Sequence, residues 1–210
     1  MTLVKICGLR TVEHARAAAE AGADFLGLIF APARRQVSVA DAAAIARAAR
    51  SAGPARVVGV FVDEAPERIL EIAAECELDA VQLSGDESIA SASELAGRIL
   101  LKAVRLGQAA GEAEWLAADL PGVHLLVDAQ VPGAYGGAGV LADWDRATQL
   151  ARRRPIVLAG GLTPENVGAA IRQVRPWCVD VSSGVETGGA KDIAKIRAFV
   201  RAARLADEVV

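Results

Sequence analysis

Cysteine is scarce and unpatterned. The chain of 210 residues holds three, Cys7, Cys76 and Cys178. An odd number without regular spacing excludes a disulfide framework and predicts a reducing, cytoplasmic setting. Long apolar runs are missing too. None approaches the ~18 residues that a membrane span requires, and Lys5 and Arg10 interrupt the stretch where a secretory signal would carry its apolar core. Basic charge is not in surplus, and a net charge of −3 argues against a general nucleic-acid binder. The glycine fingerprint of dinucleotide-binding folds is absent where it would stand, since the turn after the first apolar run reads "CGLRTV". No linker or low-complexity tract divides the chain.

What is present is alternation. Hydrophobic residues make up 53% of the chain, much of it alanine, as closely packed helices require. Strand-like runs stand at 3–7, 25–30, 56–62, 80–83, 99–106, 124–129, 155–160 and 178–183. Helical patterns separate them, among them "TVEHARAAAEAG", "SIASASELAGR" and "TPENVGAAIRQVRP". Ser38 with Asp41 resembles a capping box, and Thr163 before Pro164 reads as a helix start. Strands alternating with helices imply a parallel sheet, and eight such units predict a small (β/α)8 barrel, a single α/β domain over residues 1–210. An open doubly wound sheet is the competing architecture.

In a barrel, reactive side chains belong at the carboxyl ends of the strands and in the loops that follow. Strand one ends in Cys7, strand six in Asp128, strand seven in Gly160-Gly161 and strand eight in Asp180, Ser182, Ser183 and Gly184. Arg34 and Arg35 follow strand two, and a glycine-rich loop follows strand six. Leu3, Lys5 and Cys7 share one face of their strand, as do Asp180 and Ser182 of theirs. Closure makes strands one and eight neighbours, so Lys5 and Asp180 are expected to pair inside, because either charge buried alone is costly. The glycines closing strands seven and eight suit a phosphate, which needs backbone N–H groups at close approach and gains from a helix N-terminus. A GG pair alone is usually only a turn; two such ends on adjacent strands favour the functional reading.

Cys7 and Asp128 then face one another as a candidate base and acid across the mouth. A thiol serves as a base if its thiolate is stabilised, and a carboxyl group as an acid if burial raises its pKa. A buried cysteine is usually a small hydrophobe, and Cys76 and Cys178 are read that way. His14, in the first helix, and His124, opening strand six away from the mouth, are read as structural, and "ARRR" at 151–154 as a solvated helix end.

The segments "VKICGLR", "GLIF", "VVGVFVDE", "AVQLSGDE", "LVDA…YGGAG", "LAGGLTPENV" and "VDVSSGVE…G…KD" resemble the phosphoribosylanthranilate isomerase family of tryptophan biosynthesis, in order over nearly the whole chain. The resemblance implies a (β/α)8 barrel without cofactor or metal. It implies conversion of N-(5-phosphoribosyl)anthranilate to 1-(2-carboxyphenylamino)-1-deoxyribulose 5-phosphate, an Amadori rearrangement. It makes Cys7 the general base and Asp128 the general acid. The arginine that holds the anthranilate carboxylate becomes Arg35, with Arg34 as the alternative. Gly160, Gly161, Ser182, Ser183 and Gly184 take the phosphate, and Asp180 joins the substrate-binding set. Two departures stand out: Ser84 where the family usually has histidine, and Ala33 in a loop that reads one residue short. The partner expected is a phosphorylated small molecule, with no nucleic acid and no membrane, and the state a monomer or homodimer. The rivals are a histidine-pathway isomerase, which would want a second glycine-rich cradle and an aspartate at the end of strand one, and a non-catalytic phosphate-binding module.

Overall fold

Side chains that alternate between two apolar surroundings force a strand to be covered on both faces, and a ring of such strands with helices outside meets that demand. The computed structural model describes residues 1–104, 110–118, 120–127 and 144–208. Eight parallel strands close into a barrel in chain order: β1 (Leu3–Cys7), β2 (Phe25–Ile29), β3 (Arg56–Phe61), β4 (Ala80–Leu83), β5 (Ile99–Val104), β6 (Val123–Val127), β7 (Ile156–Leu158) and β8 (Cys178–Val181). The helices are α1 (Val12–Glu20), α2 (Val39–Ala52), α3 (Pro66–Glu75), α4 (Ile89–Ser93), α5 (Ala110–Ala117), α6 (Trp144–Ala151), α7 (Val167–Val174) and α8 (Ile193–Asp207). This is the (β/α)8 barrel that the alternation predicts. No described helix is long and apolar enough to cross a membrane.

Two apolar layers result. Phe25, Val58, Ala80, Leu101, Leu126, Val157, Ala159 and Cys178 fill the barrel. Val4, Ile6, Leu26, Leu28, Val179 and Val181 point outward, against helix faces built largely from alanine, such as Ala15, Ala18, Ala42, Ala46 and Ala49. Small side chains let helices lie close on a narrow ring. The barrel floor is aromatic: His124 stacks on Trp177 with ring centroids 3.9 Å apart, and Trp177 tilts against Phe25 at 5.7 Å. His124 thus lies away from the mouth, as its strand position implies. At the same end Thr2 donates from its backbone N–H to Asp207 at 2.8 Å and from its hydroxyl at 2.9 Å, while Arg204 pairs with Asp24 at 2.7 Å. These bonds fasten α8 beneath β1 and β2.

Local chemistry explains most helix starts and two departures. Ser38 caps α2 by accepting from the Asp41 N–H, and Thr11 caps α1 through the His14 N–H. The fourth helical pattern extends over "SIASASELAGR", yet α4 has only five residues. Its serines turn back on their own backbone, Ser93 Oγ donating to the Ile89 carbonyl at 2.8 Å and Ser91 Oγ to the Ser88 carbonyl at 3.2 Å, a competition that weakens helices. The chain here is held by a buried pair instead: Lys102 Nζ lies 2.5 Å from Glu87, and Glu87 accepts the Asp63 and Gly85 N–H groups at 3.0 Å each. At Thr163-Pro164 the first turn is a tight loop, and α7 begins at Val167, whose N–H bonds the Thr163 carbonyl at 3.0 Å.

Closure is secured by charge. Lys5 sits directly opposite Asp180 in the β1–β8 register, and Lys5 Nζ donates to Asp180 Oδ1 at 3.0 Å with the lysine fully buried. Removing one partner of such a pair strands the other. Lys5→Met should therefore lower unfolding free energy by roughly 3–5 kcal/mol. The double variant Lys5→Met/Asp180→Leu should recover much of that loss in urea titrations. A double variant as unstable as the single one would contradict the pairing account.

Candidate active site

Cys7 closes β1 at the mouth, beside Gly27 of β2 in the ladder. A Cβ added at Gly27 would stand 2.8 Å from Cys7 Sγ and 3.1 Å from Cys7 Cα. Strand two therefore makes room for the thiol by having no side chain there. Burial pushes the Cys7 thiol above its ordinary value; Lys5 pulls the other way, Asp180 pushes up again and Lys191 pulls down. Lys5 is itself held above the usual lysine range: burial alone would depress it, but the Asp180 carboxylate and Cys7 outweigh that. The free protein thus keeps Cys7 chiefly as a thiol at neutral pH, with two lysines ready to favour the thiolate when it forms.

The loop after β2 sends its two arginines to different places. Arg35 lies on Gly8, immediately after the thiol: a Cβ at Gly8 would meet Arg35 Cδ at 2.6 Å. Its side chain is 15% exposed. Arg34 is 54% exposed and reaches instead to the tip of a hairpin, where its Nη1 donates to the Gly189 carbonyl. That hairpin pairs Glu186–Thr187 with Ala190–Lys191 around Gly188 and Gly189, both at positive φ, the conformation a two-residue hairpin loop demands. Arg35 is thus the arginine packed beside Cys7, and Arg34 the one that reaches the hairpin tip.

Glu186 gathers the cations of this region. Its Oε1 accepts Arg35 Nε at 2.6 Å and Lys191 Nζ at 3.1 Å, and its Oε2 accepts Arg34 Nη2 at 2.8 Å and Arg35 Nη2 at 3.1 Å. Burial would raise this carboxyl group, but the arginines and Lys191 prevail and hold it at about 2. Burial presses Lys191 down from the usual lysine value, and Glu186 only partly offsets this. Lys191 Nζ also donates to the Ser182 carbonyl at 2.7 Å and to Ser182 Oγ at 3.3 Å. Ser182 Oγ in turn donates to the Cys7 carbonyl at 3.1 Å. The turn after β8 is thereby tied to the end of β1.

The expected phosphate cradle has the backbone such a ligand needs. Gly160 and Gly161 adopt φ of 86° and 67°, a region that favours glycine. Their N–H groups bond no backbone carbonyl of a described residue. A Cβ at Gly184 would collide with the Leu162 carbonyl oxygen, so the turn after β8 approaches the strand-seven loop as only glycine permits. Ser183 opens a single 3-10 turn, Ser183–Val185. Inside the mouth, Gln82 Nε2 donates to Ser84 Oγ at 2.9 Å, and the buried Gln82 Oε1 has no partner among the described residues. Asp128 and the glycine-rich loop that follows it lie outside the described residues. Among the described residues no cluster of three or more His, Cys, Asp or Glu is placed to hold a metal ion.

Against this geometry, residues 4–202 match the family model described as N-(5'phosphoribosyl)anthranilate (PRA) isomerase. The chain belongs to the phosphoribosylanthranilate isomerase family. It is 60% identical over 209 residues to the N-(5'-phosphoribosyl)anthranilate isomerase of Roseiflexus castenholzii, across 97% of this chain and 99% of that one. It superposes on the phosphoribosyl anthranilate isomerase of Thermotoga maritima with a TM-score of 0.85 at 39% identity, covering 97% of this chain and 99% of that one. A solved phosphoribosyl anthranilate isomerase in complex with reduced 1-(o-carboxyphenylamino)-1-deoxyribulose 5-phosphate matches with a TM-score of 0.81 at 38% identity, over 97% and 99% of the two chains. An isomerase of tryptophan biosynthesis is what the chain resembles throughout, and the barrel, the isomerase class and the pathway stand together.

Within this family frame the structure gathers Cys7, Arg35, Asp180 and Ser182 into one bonded neighbourhood. Sequence reasoning passed over Glu186 and Lys191. The segment "ETGGAK" held the signal: a GG pair between short flanks marks a hairpin, and a hairpin sets residues 186 and 191 directly opposite. The close fit at Gly27 yields a test. Gly27→Ala must displace the thiol, and displacement of about 1 Å costs up to ~100-fold in rate. A fall of kcat by ~10- to 100-fold is expected, with the fold retained by circular dichroism; an unchanged kcat would mean that Cys7 moves without consequence.

Proposed function

We propose that this chain converts N-(5-phosphoribosyl)anthranilate to 1-(2-carboxyphenylamino)-1-deoxyribulose 5-phosphate as a single barrel domain in the cytoplasm, by acid and base catalysis from its own side chains. Asp128, one residue beyond Val127 of β6, gives a proton to the furanose ring oxygen. The C1–oxygen bond breaks and leaves a protonated Schiff base. Cys7, as thiolate, takes the proton from C2, and the electron pair moves to form the enolamine, which tautomerises to the ketone. C1 is reduced by what C2 gives up, so no external oxidant or reductant is required. Arg35 holds the anthranilate carboxylate, and the loops of Gly160, Gly161, Ser182, Ser183 and Gly184 hold the phosphate. With both ends fixed, C2 is presented to the thiol, and positioning of this kind supplies much of the rate.

The observation that carries this reading is the packing of Arg35 on Gly8, one residue past the thiol, while Ser182 bonds the Cys7 carbonyl. Base, carboxylate handle and phosphate turn are thereby contiguous. Ser182's hydroxyl is occupied by Cys7 and Lys191, so backbone N–H groups are the donors left for a phosphate there. Asp180 is committed to Lys5 through Oδ1, which leaves Oδ2 for a substrate hydroxyl.

Turnover of the phosphoribosylanthranilate by the purified chain tests the whole reading, and no turnover overturns it. Cys7→Ala should lose at least ~100-fold in kcat, the low end for general-base catalysis, and Asp128→Asn a similar amount. Because the reaction needs Cys7 as thiolate and Asp128 as protonated acid, kcat/KM should follow a bell-shaped pH profile that loses one limb in Asp128→Asn; retention of both limbs in that variant would show that another group is the acid. Arg35→Ala should raise KM about 10- to 150-fold, equivalent to ~1.5–3 kcal/mol for a charge-assisted contact, and lower kcat less than Cys7→Ala does.

A further inference from the structure

Arg35 is the handle for the substrate carboxylate, and a guanidinium has two edges that can receive one. Its Nε/Nη2 edge is filled by both oxygens of Glu186, at 2.6 and 3.1 Å. Its Nη1 bonds nothing among the described residues, so the Nη1/Nη2 edge is the one presented. Glu186 is 7% exposed and fully subscribed, each of its oxygens accepting two N–H donors. A carboxylate so bound cannot swing away to make room for a ligand, and it cannot take part in the chemistry. It can only orient what it holds.

We infer that Glu186 is a positioning residue for substrate recognition, fixing Arg35 on Gly8 with one guanidinium edge turned toward the substrate's carboxylate. The inference rests on the reading of Arg35 given above. Two effects of Glu186 oppose one another, and their signs differ. Its negative charge repels an anionic substrate, so a purely electrostatic role means that neutralising it lowers KM. Its grip removes the rotamer freedom of a long side chain before the substrate arrives, so a positioning role means that neutralising it raises KM. Three cations converge on this one carboxylate, so the neighbourhood stays positive with or without it, and the charge effect is the smaller of the two.

The experiment is steady-state kinetics on the full chain with phosphoribosylanthranilate, for Glu186→Gln, Arg35→Ala and the double variant. Glutamine keeps an acceptor for Lys191 but turns an N–H group against the arginine fork. Glu186→Gln is expected to raise KM by ~3- to 10-fold, the cost of immobilising one rotamer-rich side chain, with kcat within about twofold. In the Arg35→Ala background it should add nothing. Competitive inhibition by inorganic phosphate, which does not use Arg35, should be unchanged in Glu186→Gln. Should glutamine prevent folding, Glu186→Asp keeps the charge but falls one bond length short of the fork, and the same rise in KM alone is expected. If KM falls or holds in Glu186→Gln while Arg35→Ala raises it, the positioning role is overturned and the reading of Arg35 survives. Effects that multiply in the double variant also overturn it, because Glu186 would then act apart from Arg35. If Arg35→Ala leaves KM unchanged, both readings fall.

Discussion

Lys5 Nζ and Asp180 Oδ1 meet across the join between the first strand and the last, with the lysine fully buried and the aspartate nearly so. Neither residue tolerates burial without the other, so the register in which β8 meets β1 is set by electrostatics as much as by the backbone ladder. Everything at the mouth follows from that register. With Lys5 opposite Asp180, Cys7 stands two residues further along β1, level with the turn after β8 where Ser182 reaches its carbonyl. A slip of β1 by one residue would bring Val4 inward, put Lys5 among the helices, leave Asp180 inside without its partner and turn the thiol out of the barrel.

Burial at the end of β1 also sets the acidity of the Cys7 thiol. An exposed thiolate is abundant but weak as a base; a buried thiol is seldom ionised but strong when it is. The protein places Cys7 toward the second regime, then sets Lys5 and Lys191 where they temper the cost of ionisation. Lys191 belongs to two networks at once. It holds Ser182 on the strand-eight side and Glu186 on the arginine side, so the turn after β8 and the carboxylate that grips Arg35 are tied to each other.

Much of this was readable from residue order. Period-two alternation in "LVKIC" and "CVDVSS" told which side chains face inward, and closure followed from two charges that needed each other. Arg34 and Arg35 were not separable from sequence, because adjacent loop residues have no period; only the steric void above Gly8 and the hairpin carbonyl at Gly189 divide them. The short α4 escaped because serine competition is a local backbone choice hidden under an apolar pattern that reads as helical. The roles of Glu186 and Lys191 escaped because each looks like an ordinary solvated charge until a hairpin folds both under the loop after β2. The bonds of the Ser182 hydroxyl to the Cys7 carbonyl and to Lys191 Nζ were likewise hidden, because they join residues far apart in the chain.

The clasp beneath the barrel has a practical reach. Thr2 and Asp207 are bonded to each other, and Arg204 adds a bond to the Thr2 carbonyl at 2.7 Å. Both segments are thereby pinned on the side of the aromatic floor, with the whole length of the strands between them and the thiol. Strain or substitution at this clasp would act on the floor of the barrel, a full strand length from Cys7, and so would bear on how firmly α8 closes the fold before it reached the arrangement at the mouth.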